Sequence, residues 1–99
     1  MDIKTTETAE VLTVTIEGDV ELLSIAMSKN QLMKIARDAN KDIELNLAGV
    51  DYIDSSGIGL LIKMHKLQSE KGKKLKLVNL NPRVKEIIRL TSVDNIFNI

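Results

Sequence analysis

The sequence predicts an α/β domain with a small mixed, mostly parallel sheet of about four strands, and with helices gathered mainly on one face. Segments that alternate apolar and polar residues, as half-buried strands do, are separated by longer segments with helical periodicity. Strands joined through helices pair in parallel by right-handed crossovers. Because the strands alternate instead of being apolar throughout, one face of the sheet should stay poorly covered. A length of 99 residues predicts a single domain over 1–99.

Two strands and a helix are expected in the first half of the chain. Residues 2–8 form a weak strand, and a hairpin connects it to a clearly alternating strand over 11–17. Ser24 then has the side chain of a typical helix cap, and the helix that it starts should run to about Asn40.

The second half continues the alternation of strands and helices. Residues 43–47 alternate as a third strand, and a helix is expected over about 55–71. A short strand covers 75–77. Asn81 and Pro82 then predict the start of another helix, because a capping side chain followed by proline suits the first helical turn.

The composition argues against several classes of function. The 14 basic residues balance 14 acidic ones, and Tyr52 and Phe97 are the two aromatic residues, so the charge and stacking groups of nucleic-acid binders are lacking. The chain has no cysteine for disulfides or thiolate metal sites. Its apolar runs are too short for a membrane span or a signal segment. We therefore expect a cytoplasmic protein that binds neither nucleic acid nor membrane.

The segment Asp54-Ser55-Ser56-Gly57 lies where the third strand leads into the next helix. The carboxyl end of a strand in an open sheet is a common place for function, and a helix N-terminus favours a phosphate group. The same residues also suit an ordinary helix cap, so the junction alone leaves both interpretations open. Gly57 and Gly59 are unusual in a first helical turn unless the backbone there needs room or close approach.

Catalysis is not expected. His65 is the one histidine, and it lies ten residues after Ser55 on the same predicted helix, about 15 Å along the axis. It therefore cannot act as a base for Ser55. The sequence has no complete nucleotide-binding motif, no nucleophile elbow and no cluster of metal ligands, so we expect neither a cofactor nor a metal.

Ile58 and Ile62 lie on a side of the same helix where solvent is expected. Apolar residues beside a functional loop can mark a partner surface, but another helix of the domain could equally cover them. The sequence leaves these two alternatives open.

The stretch from Asn46 to Gly59 resembles the signature of STAS domains, specifically the stand-alone bacterial anti-sigma factor antagonists. The resemblance implies that Ser55, directly after the motif aspartate Asp54, is phosphorylated by the partner, an anti-sigma factor that is itself a serine kinase. The unphosphorylated antagonist would bind that kinase and free the sigma factor. Phosphorylation would release it, and a metal-dependent serine phosphatase would restore it. ATP and Mg²⁺ would belong to the partner.

The resemblance also implies a partner-binding surface around Ser55, on a chain that is a monomer when free. In place of the aspartate that the family commonly carries after its early turn, this chain has Glu21. The competing interpretation is a STAS adaptor subunit of a stress-signalling assembly or a lipid-transport complex, without a phospho-switch. The predicted partner-binding residues are Glu21, Asp54, Ser55, Ser56, Gly57, Ile58, Gly59 and Ile62.

Overall fold

Four strands and four helices follow one another along residues 1–97, the part of the chain that the computed structural model describes. The predicted order of strands and helices is confirmed; the short last helix is an addition that the sequence pattern did not predict. In chain order the elements are β1 (Asp2–Glu7), β2 (Val11–Glu17), α1 (Leu22–Asp38), β3 (Asp42–Gly49), α2 (Ser55–Glu70), β4 (Leu75–Val78), α3 (Pro82–Leu90) and α4 (Asp94–Phe97).

The strands form one sheet in the order β1-β2-β3-β4. β1 and β2 pair antiparallel, whereas β2 with β3 and β3 with β4 pair parallel, which confirms the mixed, mostly parallel sheet. The hairpin between β1 and β2 closes on Thr8, whose hydroxyl oxygen accepts hydrogen bonds from the backbone N–H groups of Glu10 and Val11. Short polar side chains commonly stabilise such turns in this way.

One face of the sheet carries the core, and the other is open. Because successive side chains of a strand point to opposite faces, β3 has Ile43, Leu45 and Leu47 fully buried, while Glu44 and Asn46 between them are half-buried. The predicted gathering of the helices on one face is confirmed by this alternation. On the same face, the buried residues of β2 are Val14 and Ile16, and those of β4 are Leu75 and Leu77.

The start of α1 differs from the sequence prediction, and the assignment of Ser24 as its cap is wrong. The helix begins at Leu22, with Glu21 as the capping residue. The Ser24 hydroxyl accepts from the backbone N–H of Glu21 at 3.0 Å and donates to the carbonyl of Asp19 at 2.8 Å. The N–H of Leu22 instead finds its acceptor on Asp54, 32 residues further along the chain. A contact at that sequence distance has no local signature.

The other two long helices begin as the sequence predicts. Asp54 caps α2, and Asn81 caps α3 by accepting from the N–H of Val84 at 2.8 Å, with Pro82 as the first helical residue. The amide of Asn81 also donates to the carbonyl of Val50 at 2.7 Å. This bond holds the start of α3 against the loop that leads from β3 towards α2.

Candidate functional site at the shared start of two helices

The helices α1 and α2 begin side by side at one edge of the sheet. They follow β2 and β3, which are parallel neighbours, so both connections leave the sheet at the same end. The two connecting segments also pair with each other: the N–H of Val20 donates to the carbonyl of Tyr52 at 3.0 Å, and the N–H of Asp54 donates to the carbonyl of Val20 at 3.1 Å. Backbone hydrogen bonds thus fix the relative position of the two helix starts.

A single carboxylate, that of Asp54, contacts both helix N-termini. Its Oδ1 accepts from the N–H of Gly57 in α2 at 2.9 Å, and its Oδ2 accepts from the N–H of Leu22 in α1 at 3.0 Å. The first N–H groups of a helix have no partner within the helix and lie at the positive end of its dipole, which favours a carboxylate there. Asp54 therefore joins the two helices at the point where the candidate serine projects.

Ser55 is the first residue of α2 and is exposed to solvent. Within residues 1–97 its hydroxyl takes part in no side-chain hydrogen bond. Ser56, by contrast, is half-buried and faces the space between α1 and α2. Of the two serines in the motif, Ser55 is the more accessible to another macromolecule.

The two glycines of the motif have different structural roles. A Cβ atom at Gly57 would lie 2.5 Å from the carbonyl oxygen of Val20 and 2.8 Å from Cγ2 of Ile53, which are distances that real structures do not allow. Gly57 is therefore required by the close approach of α2 to the segment before α1. A Cβ atom at Gly59 would meet nothing within 4 Å, so this glycine leaves an open space beside α1.

Two of the predicted partner-binding residues are buried within the domain. Gly57 is buried. Ile58 is 5% exposed, and its side chain belongs to the hydrophobic core and not to the surface. Ile62 is half-buried and packs against the same core. For Ile58 the alternative that the domain itself covers the residue is confirmed. Glu21 and Asp54 are the capping residues of α1 and α2, and Ser55, Ser56 and Gly59 lie in the first turns of α2.

Sequence reasoning missed an apolar ridge on α1 next to this site. Leu22, Leu23 and Met27, which we call the α1 ridge, are 64%, 76% and 91% exposed. Leu23 and Met27 are four residues apart and so lie on one side of the helix, and Leu22 contacts Asp54 through its N–H. Three large exposed apolar residues in two helical turns are typical of a protein-binding surface. The sequence would have predicted the ridge if the helix had been expected to begin at Leu22 and not at Ser24.

His65 and the acidic side chains are the groups that a catalytic or metal site would use. His65 packs edge-on against Phe97, with 5.8 Å between the ring centroids, and its Nδ1 is buried without a hydrogen-bond partner. In the described part of the chain no three His, Cys, Asp or Glu side chains are grouped in a way that could hold a metal ion. None of the helices among residues 1–97 has the length and apolar content needed to cross a membrane.

Comparison with known proteins gives one family. The family model described as STAS domain matches residues 2–99. An anti-sigma-B factor antagonist of Staphylococcus aureus is 23% identical over 99 residues, which cover 100% of this chain and 92% of that protein. The chain therefore belongs to the STAS domain family.

Solved structures show the same fold. An anti-sigma-factor antagonist (STAS) domain protein from Planctomyces limnophilus superposes with a TM-score of 0.84 at 19% identity, covering 96% of this chain and 85% of that one. The anti-sigma factor antagonist SpoIIAA in its unphosphorylated form superposes with a TM-score of 0.69 at 14% identity, covering 99% and 100%. At these identities the likeness concerns the fold.

Proposed function

We propose that this STAS domain is an anti-sigma factor antagonist, which binds a kinase-type anti-sigma factor while Ser55 is unphosphorylated and leaves it after phosphorylation. The observation that carries the proposal is the exposed Ser55 hydroxyl at the start of α2, next to the exposed α1 ridge. A kinase needs an accessible hydroxyl, and a stable complex needs apolar surface to bury. Both occur at the same end of the molecule. The names of the relatives in the same family support this role.

The electrostatics around Ser55 suit release by phosphorylation. A phosphate on Ser55 adds about −1.5 to −2 charges directly beside the Asp54 carboxylate. That carboxylate already accepts from two first-turn N–H groups, those of Gly57 and Leu22. The added charge would therefore face the partner, where it must lose its water and meet apolar or acidic surface. A coupling on the usual allosteric scale changes affinity by about 5–150-fold without refolding.

In this proposal the chain is a ligand and a kinase substrate and is not itself an enzyme. The ATP and Mg²⁺ belong to the anti-sigma factor, and a metal-dependent serine phosphatase returns Ser55 to its free form. The protein would regulate transcription from the cytoplasm, as a monomer when free. The partner-binding surface comprises the α1 ridge together with Glu21, Asp54, Ser55, Ser56, Gly59 and Ile62, while Gly57 and Ile58 shape it from inside.

The direct test is incubation with the kinase-type anti-sigma factor of the same organism and ATP, followed by mass spectrometry of residues 51–63. Phosphate is expected on Ser55 of the wild-type chain and of the matched control Ser56→Ala, but not on Ser55→Ala. Titration calorimetry should show that Ser55→Asp binds the partner about 5–150-fold more weakly, with an unchanged circular dichroism spectrum. Label on Ser56 alone, or equal affinity of Ser55→Asp and wild type, would contradict the proposed switch.

A second candidate is a STAS adaptor without a phospho-switch, in a stress-signalling assembly or a lipid-transport complex. The α1 ridge favours an adaptor role as well, because an exposed apolar surface can bind a partner whether or not a serine is modified. A chain that binds its partner stably, yet takes no phosphate from it and is insensitive to Ser55→Asp, would establish the adaptor role.

A further inference from the structure

A groove separates α1 from α2 just behind the serine motif. Its walls are apolar: Leu22, Ile25 and Ala26 come from α1, and Gly59 and Leu60 come from α2. Its volume is about 410 Å³, enough for one or two side chains of another protein. The missing side chain of Gly59 contributes to this space, because a Cβ atom there would meet nothing within 4 Å. The groove is continuous with the α1 ridge, since Leu22 belongs to both.

Two lysines line the same groove, one from each helix. Lys29 of α1 and Lys63 of α2 are both exposed, and Lys29 lowers the pKa of Lys63, because its ammonium can donate to the neutral amine of Lys63 and repels the charged form, with a smaller effect of burial. No carboxylate lies three or four residues from either lysine along its helix, and within residues 1–97 neither forms a salt bridge. The groove thus holds two neighbouring positive charges without a counter-charge.

We infer that the α1–α2 groove receives an acidic side chain of the anti-sigma factor, an Asp or Glu flanked by apolar residues, which binds between Lys29 and Lys63. An anion between two ammonium groups relieves their mutual repulsion, and its apolar neighbours would cover Leu22 and Leu60. A small free anion would leave the apolar walls and the adjoining ridge exposed, which is why a protein segment fits the whole surface better. The inference rests on the proposed function and adds a second contact to it, away from Ser55.

The test compares two independent changes of the groove in binding to the anti-sigma factor that labels Ser55. The double variant Lys29→Glu/Lys63→Glu reverses both charges and should weaken binding at least about tenfold, while Lys29→Arg/Lys63→Arg should retain it. Gly59→Leu places a side chain into the open space without changing charge. It should also weaken binding at least about tenfold, with a thermal midpoint no lower than that of the wild type, because leucine favours a helix more than glycine does.

Lys66→Glu is the matched control, since Lys66 is an exposed lysine of the same helix that does not line the groove. Its affinity should equal that of the wild type. If the wild type binds and is labelled on Ser55, but either groove variant binds equally well while folded, the inference is overturned and the proposed function stands. If the wild type neither binds nor is labelled, the proposed function itself fails.

Discussion

At both ends of the α1–α2 pair a charged side chain interacts with the helix dipoles, but the two ends differ in what the neighbouring side chains do. The helices run parallel, so their N-termini meet at one end and their C-termini at the other. The Asp54 carboxylate accepts from both helices at the first end. At the second end the Lys71 ammonium donates to the carbonyl oxygens of Ala36 and Ala39 at the end of α1. An anion thus meets the positive dipole ends, and a cation meets a negative one.

At the C-terminal end of the helix pair, the side chains of Gln68 and Lys71 hydrogen-bond to backbone carbonyl oxygens; we call this the closed end and the N-terminal end the open end. Gln68 is 0% exposed, and its amide donates to the carbonyl oxygens of Lys41 and Lys74, both at 3.0 Å. These bonds connect α2 to the starts of β3 and β4, where the carbonyl of Lys74 also accepts from the N–H of Ile43 at 2.9 Å. Burial lowers the pKa of Lys71, and the charge of Asp38 partly opposes that shift. The donor groups of Gln68 and Lys71 thus bind backbone carbonyl oxygens of the domain, while the Oε1 atom of Gln68 is buried without a hydrogen-bond partner among residues 1–97.

The N-terminal end has the opposite character. Asp54 accepts from the backbone of both helices, but Ser55 and the α1 ridge are exposed, and the two exposed groove lysines follow near the middle of the helices. The Asp54 carboxylate and the backbone hydrogen bonds between the two connecting segments together fix both helix starts. The side chains around them are not needed for this and stay exposed. Variants at the closed end should therefore change stability, and variants at the open end should change binding.

The largest effect on stability is expected for Gln68→Ala at the closed end. The change removes one donor from each of two carbonyl oxygens and opens a cavity, which should lower the free energy of unfolding by about 2–3 kcal/mol in urea denaturation. The control Gln31→Ala, at an exposed position of α1, should change it by less than about 0.5 kcal/mol. If folded Gln68→Ala bound the partner more weakly than the wild type, the closed end would contribute to binding as well as to stability, contrary to this expectation.

Asp54→Ala should have an intermediate effect, because Asp54 supports the fold at the end where we propose that the partner binds. Loss of the cap of α2 and of the contact with Leu22 should lower the free energy of unfolding by about 1–2 kcal/mol. Asp54→Asn keeps one carbonyl oxygen and should lose less. Hydrogen exchange should be faster at the N–H groups of Leu22 and Gly57 in Asp54→Ala; unchanged protection at Leu22 would argue against the shared cap.

The smallest effect on stability is expected for Leu23→Ser/Met27→Ser on the α1 ridge. Both side chains are largely exposed, at 76% and 91%, so the free energy of unfolding should change by no more than about 0.5–1 kcal/mol. Affinity for the anti-sigma factor should nevertheless fall about tenfold in titration calorimetry, since apolar contact area is lost. A large loss of stability with unchanged affinity would mean that the ridge serves the fold instead.

Local sequence patterns determined much of this protein. The alternation of β2 and β3, the cap at Asp54 and the Asn81-Pro82 helix start could be predicted because their hydrogen bonds and side-chain periods span two to four residues. Ser55 could be placed at the start of α2 for the same reason. The helix start at Leu22 and the apolar ridge beside it could not, because the acceptor for the Leu22 N–H comes from Asp54.

The neighbours that each residue of the motif contacts depend on the tertiary structure and not on the local sequence. In the sequence Gly57 and Gly59 look alike, and Ile58 could equally contact a partner or be covered by another helix of the domain. The close packing of α2 against the Val20 segment makes Gly57 obligatory, and Ile58 lies buried in the core, while the spacing of α1 and α2 leaves Gly59 beside an open groove. The physical reason is that helix periodicity fixes which residues share a side of α2. Which side is covered depends on chain segments that are distant in sequence.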